Sequence, residues 1–501
     1  MKINFDKRRF VVTSLLGLLF TAMQVIGYQI SMRYNTSVHQ SEFFQNIGVL
    51  PTKHAFLLSL VEFPIWCIIL YFLFTMLERV TYIDKKFSPK RVFLLWGSTA
   101  VFLFICWIPC FLAGYPGFYN YDAMNQVPQA LYAEVPYSAH HPLLHTLLMG
   151  KIIAFGYHHG INLNDGIALH SIFQMTVCAI AFAYLIYFIL KITGNRILSI
   201  IAFCYYAFFP PIAMFAMSTT KDIIFSILLQ LSIVFLYEMC KDLSAFWASK
   251  RMIARFVITF LLMCLFRKNG IYIVICIIPF VVIFWKKYWK QLLFLFGSII
   301  LLYFITDKSL LLALNATEGS TEEAFSVPIQ QLARVYFDYG ESAFDEEELT
   351  LIYEGISETD LLNYNPFLSD NIKNIFDFDV VLDNKTAYLS LWLKKGLQYP
   401  MEYLKSFLDN TYQSWYPGTS IYDAPDSEQT YYFAMNMCAG GERDTKAPQL
   451  LEFYNKIATG YYYQKLPVIR LLFSIGAMFW FALFTLFFAI YQKTSQCSLQ
   501  C

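Results

Sequence analysis

Long apolar runs alternate with short polar segments along most of the chain, and this pattern predicts membrane-spanning helices. A straight span needs ~20 predominantly apolar residues, so the runs at 253–266 and 271–286 are short for one. We expect those two to be tilted, or to turn back at "RKNG" (267–270). The sequence therefore predicts an all-α polytopic membrane protein with about ten transmembrane helices. The runs lie near residues 10–31, 55–77, 92–113, 166–190, 197–217, 223–240, 253–266, 271–286, 291–306 and 467–491.

The composition agrees with this pattern. The chain has 501 residues, of which 57% are hydrophobic and 15% charged, which is more apolar than an ordinary soluble enzyme. Its start, "MKINFDKRRF", resembles the basic segment of a signal peptide. No small-residue cleavage site follows, so we expect the first apolar run to remain as a transmembrane helix.

Basic residues are concentrated in alternate loops, and this predicts the orientation. Because Lys and Arg stay preferentially on the cytoplasmic side, we expect the N-terminus to be cytoplasmic. The polar segments 114–145, 218–222 and 267–270 and the long region 307–466 then fall together on the outer face. The basic residues on the expected inner side are Lys2, Lys7, Arg8, Arg9, Arg79, Lys85, Lys86, Lys90, Arg91, Lys191, Arg196, Lys241, Lys250, Arg251, Arg255, Lys286, Lys287 and Lys290.

The long outer region differs from the rest of the chain in charge. Residues 307–466 contain 25 acidic and 11 basic residues, a net charge of −14, so this region would repel nucleic acid. Its single cysteine, Cys438, cannot form an internal disulfide, which fits a bacterial plasma membrane protein. We therefore predict three parts. These are a transmembrane domain (1–306) whose outer loop 114–165 carries the candidate chemistry, an acidic and mostly helical exterior domain (307–466), and a final span with a cytoplasmic tail (467–501).

Asp122, in "YPGFYNYDAMNQ", is the main catalytic candidate because it follows a span end on the outer face. A plainer interpretation is that it caps a short helix over 123–131. The segment is too apolar for a free loop, however, and is expected to lie at the membrane surface as one or two short helices. There, partial desolvation would raise the pKa of Asp122 toward the working range of a general base.

Several neighbours of Asp122 are candidate substrate contacts, namely Tyr119, Gln126, His140 and His141. His141 and His145 are four residues apart on a helix that Pro142 is expected to open, so a metal site with Asp122 is an alternative. The pattern lacks a third ligand at fixed spacing, and paired histidines at an interface are more often hydrogen-bonded fixtures. We therefore predict no metal and no cofactor, although a divalent metal stays open.

Basic residues on the outer face are candidates for holding an anion. Lys221 and Asp222 begin a span, where a plain helix start is the alternative interpretation because the helix dipole favours Asp222. Arg267 and Lys268 would lie on the outer face, where the charge rule for orientation predicts few basic residues. We therefore expect them to have an anionic partner. A phospholipid headgroup and the phosphate of a lipid-linked substrate both fit. We predict Lys221, Arg267 and Lys268 as phosphate ligands and Asp222 as a substrate contact.

Two aromatic residues in the acidic region, Trp415 and Tyr416 in "NTYQSWYPG", are candidates for sugar stacking. Most such clusters belong to a core or to the aromatic belt at a membrane surface, and that interpretation stays open.

Five motifs in this order resemble a divergent bacterial branch of the GT-C superfamily of polytopic glycosyltransferases. They are "YPGFYNYDAMNQ", "HHPLLHTLL", "STTKDIIF", "RKNG" and "NTYQSWYPG". The superfamily includes protein O-mannosyltransferases and the aminoarabinose transferases of lipid A. The resemblance implies that Asp122 serves the acceptor and that Lys221, Arg267 and Lys268 hold the lipid phosphate. Here the loop follows the third span and Asp122 stands without an adjacent acid, whereas the superfamily loop usually follows the first span and often has two adjacent acids.

The resemblance implies transfer of a sugar from a polyprenyl-phosphate donor to an envelope glycan, lipid or protein on the outer face. No nucleotide sugar is present outside the cell, which agrees with a membrane-borne donor. Two other classes remain. A lipid or polysaccharide flippase would usually keep charges at the bilayer midplane and show internal repeats, neither of which is evident here. A non-catalytic protein of envelope assembly is the other alternative.

Overall fold

The computed structural model describes residues 6–38, 52–79, 85–160, 162–319, 322–418, 442–458 and 466–498. Within these residues the fold is helical, with two isolated β-bridges and no strand. The all-α prediction is therefore confirmed. The helices are α1 Lys7–Val38, α2 Thr52–Leu77, α3 Pro89–Ala113, α4 Tyr121–Gln126, α5 Pro128–Leu131, α6 Leu143–His159, α7 Leu163–Thr193, α8 Arg196–Phe208, α9 Pro210–Ala216, α10 Lys221–Lys241, α11 Leu243–Ala248, α12 Lys250–Phe266, α13 Gly270–Phe284, α14 Trp289–Ala313, α15 Glu322–Tyr339, α16 Glu346–Gly355, α17 Glu358–Leu361, α18 Asp370–Lys373, α19 Phe378–Asp383, α20 Lys385–Gln398, α21 Pro400–Trp415, α22 Pro448–Ala458, α23 Pro467–Phe473 and α24 Ile475–Ser498.

Contacts between residues divide the chain into two compact units. Unit 1 comprises Met1–Val80, Ser320–Glu428 and Gly460–Cys501, and unit 2 comprises Thr81–Gly319 and Gln429–Thr459. The division into 1–306, 307–466 and 467–501 stays a prediction.

Seven helices of the described chain are long and apolar enough to cross a membrane. An eighth span results if α8 and α9, which meet at a bend of 59°, cross together. The protein is thus consistent with a polytopic membrane protein, as predicted. The seven are Lys7–Ser31, Ala55–Leu77, Pro89–Ala113, Leu163–Thr193, Lys221–Lys241, Lys286–Ala313 and Ile475–Gln492.

The predicted count of about ten spans is not confirmed, and two short helices account for much of the difference. Helices α12 and α13 have 17 and 15 residues. At ~1.5 Å per residue both are shorter than the ~30 Å hydrocarbon core of a bilayer. They are joined by the turn at Arg267–Gly270, where the Gly270 amide donates to the Arg267 carbonyl at 2.8 Å.

Helix α7 is the central element of unit 2, and its ends follow from local sequence. Asn162 and Asp165 form a reciprocal capping box at its start, and Gly194 ends it in the left-handed conformation at φ 62°. Helices α3, α6, α8 and α10 pack against α7. A second core, which includes Phe256, Phe260 and Phe296, holds α12 against α14.

The two ends of α10 differ in their surroundings, and its 21 residues hold them ~30 Å apart. Near the Lys241 end, Glu238 pairs with Lys191 at 2.9 Å and Arg255 at 3.7 Å. Basic residues of α7 and α12 therefore meet α10 at this end. At the Lys221 end, the polar loops of the candidate site meet. Which end faces the cytoplasm stays a prediction.

In unit 1, α1, α2 and α24 pack through aromatic side chains. Phe20 stacks on Trp480 at 4.2 Å between ring centroids, and Trp66 meets Trp480 edge-on at 5.2 Å. Helices α15–α21 form a separate helical core in the same unit. The buried guanidinium of Arg334 joins α15 to α21 through Asp409 at 2.8 Å.

Candidate functional site

The segment after α3 runs beside the segment before α10, and this pairing creates the candidate site. The Phe118 amide donates to the Met217 carbonyl at 3.1 Å, and the Thr219 amide donates to the Phe118 carbonyl at 3.0 Å. Asn120 extends the pairing, because its backbone amide donates to the Thr219 hydroxyl at 2.8 Å. Helices α4 and α10 therefore begin side by side.

Gly117 permits the close approach that this pairing requires. Its φ of 134° lies in the left-handed region, and a Cβ there would collide with the Ser171 side chain of α7. The Ser171 hydroxyl donates to the Pro116 carbonyl at 3.0 Å and so ties the loop to α7.

Asp122, Lys221 and His141 form the centre of the site. The Lys221 ammonium donates to a carboxylate oxygen of Asp122 at 2.7 Å, and His141 Nδ1 lies 4.0 Å from the same oxygen. The His141 nitrogen is 3.5 Å from the Lys221 ammonium. The N-cap of α4 is Asn120 rather than Asp122. Thus Asp122 meets Lys221 instead of capping its own helix.

The expectation that the pKa of Asp122 is raised is wrong. Burial by itself would raise the pKa, but the hydrogen bond and charge of Lys221, together with the two neighbouring histidines, hold it below its ordinary value. The carboxylate is therefore ionised at neutral pH and can accept a proton, although as a weaker base than expected.

His141 is buried, whereas His140 is exposed, and their rings meet edge-on at 4.7 Å. Burial lowers the pKa of His141 to about 4, and the ammonium groups of Lys221 and Lys268 act in the same direction against the Asp122 carboxylate. The imidazole is therefore neutral at pH 7. His141 precedes α6, which begins at Leu143. The prediction that His141 and His145 share a helix face is therefore wrong.

The basic pair at the α12–α13 turn belongs to the same site. Arg267 forms an ion pair with Asp222, the second residue of α10, and lies over the Phe225 ring at 5.7 Å. The Lys268 ammonium donates to the Ala139 carbonyl at 2.5 Å, next to the two histidines. The structure therefore brings together all five charged residues that were predicted as site residues, namely Asp122, Lys221, Asp222, Arg267 and Lys268, and it pairs Asp222 with Arg267.

Tyr119 and Gln126 are buried beneath the site and are not open to a substrate, which corrects their predicted role. The Tyr119 hydroxyl donates to the Ala123 carbonyl at 3.1 Å. The Gln126 amide contacts His145 Nδ1 at 3.2 Å and donates to Thr146 at 2.9 Å. These side chains fix α4 on α6 and so position Asp122.

Trp415 and Tyr416 lie in unit 1, where they join a core formed with Ile30 of α1 and Tyr412. Tyr416 is buried, and the Trp415 carbonyl accepts a 2.9 Å hydrogen bond from Trp480. Their packing role, the alternative considered from the sequence, accounts for these contacts. A sugar would find no open face on the Tyr416 ring.

An apolar cleft adjoins the charged residues. It lies between α7, α9 and α10, has a volume of about 270 Å³, and is lined mainly by apolar side chains such as Phe182 and Phe215. Asp222 and Ser226 contribute polar groups to its lining. Helices α7 and α10, which form two walls of this cleft, are candidate membrane spans.

The sequence did not indicate the role of Arg443. Its guanidinium donates to the Gly114 carbonyl at 2.6 Å and lies 5.0 Å from the Phe118 ring, which supports the loop before Asp122. Burial lowers the pKa of Arg443 to about 10, so it remains charged. A basic residue within a strongly acidic region was the one available signal.

Among the described residues, no group of three or more His, Cys, Asp and Glu side chains is arranged to hold a metal ion. His145 uses its Nδ1 on Gln126, so it is not gathered with His141 and Asp122 around a common point.

A family of unknown function, DUF6020, matches residues 132–499, which is more than half of the chain. The chain belongs to DUF6020. The match contains His140, His141, Lys221, Asp222, Arg267 and Lys268, and it begins after Asp122. No curated protein and no solved structure matches the chain.

Proposed function

We propose that this DUF6020 protein is a membrane glycosyltransferase that moves a sugar from a polyprenyl-phosphate donor to a hydroxyl acceptor. The observation that carries the proposal is the apolar cleft beside a cluster of basic groups and a carboxylate. A lipid chain needs the cleft, its phosphate needs the cations, and an attacking hydroxyl needs a proton acceptor. Asp222 belongs to both features, because it lines the cleft and pairs with Arg267.

The reaction balances with Asp122 as the general base. The acceptor oxygen forms a bond to the anomeric carbon while the bond from that carbon to the phosphate oxygen breaks. Asp122 takes the hydroxyl proton, and the electron pair of the broken bond leaves on the polyprenyl phosphate. The ionised state of Asp122 means that no proton must be removed from it before the reaction.

The leaving phosphate gains one negative charge, which cationic groups would stabilise in the transition state. Arg267 presents five N–H donors, so it can bind phosphate oxygens while part of its fork stays on Asp222. Lys221, which is paired with Asp122, and Lys268, which lies near His141, supply two further cations for the phosphate.

The site needs no metal for this chemistry, because the leaving group is a monophosphate and three basic side chains are present. The neutral His141 offers a hydrogen-bond acceptor beside Lys221, and its neighbour His140 is exposed at the edge of the site. The acceptor is an envelope glycan, lipid or protein.

The outer face of a bacterial plasma membrane is the proposed location. This rests on the charge asymmetry of the loops, since a cytoplasmic N-terminus puts the cluster on the outside. A lipid-linked donor is the form in which an activated sugar is available there.

The test uses the purified protein in lipid vesicles with radiolabelled polyprenyl-phosphate sugars. Transfer of label to an added glycan, lipid or peptide, or hydrolysis of the donor, supports the proposal. Movement of intact donor across the bilayer without cleavage would instead identify a flippase. Neither cleavage nor movement with any donor would contradict a catalytic role.

A further inference from the structure

A second cleft with a different lining lies in unit 1. It is open, has a volume of about 660 Å³, and is formed by the loop after α17 together with α18. This volume is within the range of ligand pockets, ~300–1,000 Å³. Four asparagines from a stretch of twelve residues, "NYNPFLSDNIKN", line it, namely Asn363, Asn365, Asn371 and Asn374.

The core of unit 1 fixes both walls of this cleft. Tyr364 and Ile372 are almost fully buried, so the loop and α18 are each anchored from below. The Asn365 carbonyl accepts a hydrogen bond from Gln330 of α15 at 2.6 Å, and its side-chain oxygen accepts from the Phe367 amide at 2.9 Å. The cleft is therefore preformed.

Asn363 and Asn374 offer polar groups that the fold does not use. Both residues are exposed, and their side-chain amides make no hydrogen bond to any described part of the chain. Each amide supplies two N–H donors and a carbonyl acceptor. A ligand with many hydroxyl groups, each both donor and acceptor, matches this lining.

The remaining lining selects against charged ligands. Asp370 is the one acid among the lining residues, and Lys373 neutralises it at 2.9 Å. Leu362 and Ile375 are 55% and 48% exposed and offer aliphatic surface of the kind that sugar C–H groups contact. The acidic surroundings repel polyanions. We propose that this cleft binds a short neutral oligosaccharide.

This proposed binding site is separate from the transfer site, and the proposal does not depend on the transferase activity. Binding would hold a neutral glycan on unit 1 whether or not the protein transfers a sugar. Absence of binding leaves the transferase proposal untouched, and absence of transfer leaves this proposal untouched, so the two failures are distinguishable.

The experiment is calorimetric titration of the full-length protein in lipid nanodiscs, which avoids detergents with sugar headgroups. The probes are neutral oligosaccharides of α-glucan, β-glucan and mannan, with oligogalacturonate as a polyanionic probe and CaCl₂ as a cation probe. We expect at least one neutral oligosaccharide to bind. In the double variant Asn363→Ala/Asn374→Ala, its Kd should rise about tenfold or more, which corresponds to loss of about two hydrogen bonds.

Asn384→Ala is the matched control, because Asn384 is exposed, lies in the same unit and makes no side-chain cap hydrogen bond. Its Kd should equal that of the unmodified protein. Three results would overturn the proposal: no binding of any neutral probe, equal binding by the double variant, or tight binding of the polyanion or of Ca²⁺ alone.

Discussion

The Lys221 ammonium lies 2.7 Å from a carboxylate oxygen of Asp122, which is 99 positions away along the chain. This pair joins the start of α10 to the start of α4 and sets the ionisation of the proposed base. Because burial and Lys221 act on the pKa of Asp122 in opposite directions, the cation decides the sign of the shift.

Lys221→Met should therefore shift the acid limb of the pH–rate profile upward. Without the ammonium, burial is left to raise the pKa of Asp122, so activity is lost at a higher pH as the carboxylate takes up a proton. The measurement is the normalised pH dependence of kcat/KM for transfer from pH 3.5 to 7.5. Lys151→Met, an exposed lysine of α6, is the control. Identical acid limbs in Lys221→Met and wild type would show that Lys221 does not tune Asp122.

Arg267→Ala should reduce use of the donor by more than ~1.5 kcal/mol, the lower range for a charge-assisted hydrogen bond. Arg267→Lys should recover part of the loss, because it keeps the charge and loses the fork. The measurement is donor KM and kcat at saturating acceptor. Arg255→Ala is the control and should have little effect, because Arg255 of α12 pairs with Glu238 at the end of α10 that lies away from the site. Normal donor use by a folded Arg267→Ala protein would contradict phosphate binding by Arg267 and would favour contact with a phospholipid headgroup.

Ser226→Trp should obstruct the apolar cleft. With a long-chain polyprenyl donor we expect kcat/KM to fall by ~10-fold, equivalent to lost burial of about two CH₂ groups. A donor with a short, water-soluble chain should be used as well as by wild type. Thr176→Trp places the same bulk at an exposed position of α7 outside the cleft lining and serves as the control. An equal loss with both donors would argue against lipid binding in the cleft.

Much of the helical framework could be predicted from local sequence. The seven candidate spans correspond to long apolar runs, and the described part of 307–466, a region predicted to be mostly helical, contains helices α15 to α22. The prediction was least reliable for apolar runs shorter than a full membrane span. The apolar runs at 253–266 and 271–286 could not show whether they cross, since only the structure gives the turn between α12 and α13.

The site was predictable as a set of residues but not as a set of partners. Sequence spacing placed Asp122, Lys221, Asp222, Arg267 and Lys268 on one side, because each flanks the end of an apolar run. The spacing could not show that Lys221 pairs with Asp122 and Arg267 with Asp222, because these ion pairs depend on how helices distant in sequence pack. For the same reason Gln126 was taken for a substrate contact, although it lies in the core.

Cysteine labelling in a cysteine-free background tests the orientation of unit 2. Because the charge rule places the basic segment that contains Lys250 on the inner side, we expect Lys250→Cys to react only from the cytoplasmic side. Glu134→Cys, exposed in the loop that follows α5, should react only from outside. The measurement is labelling of inside-out and right-side-out vesicles with a membrane-impermeant maleimide. The reverse pattern would place the cluster in the cytoplasm and remove the reason for a lipid-linked donor.

The transfer rate of Asp122→Asn tests the central claim most directly. Asn keeps the shape of the side chain but cannot take the acceptor proton, so the rate should fall by ~10²–10⁴-fold while donor affinity changes little. Glu134→Gln makes the same change at an exposed position of the same loop and should keep wild-type transfer. Near-normal transfer by Asp122→Asn, or an equal loss in both variants, would contradict the assignment of Asp122 as the general base.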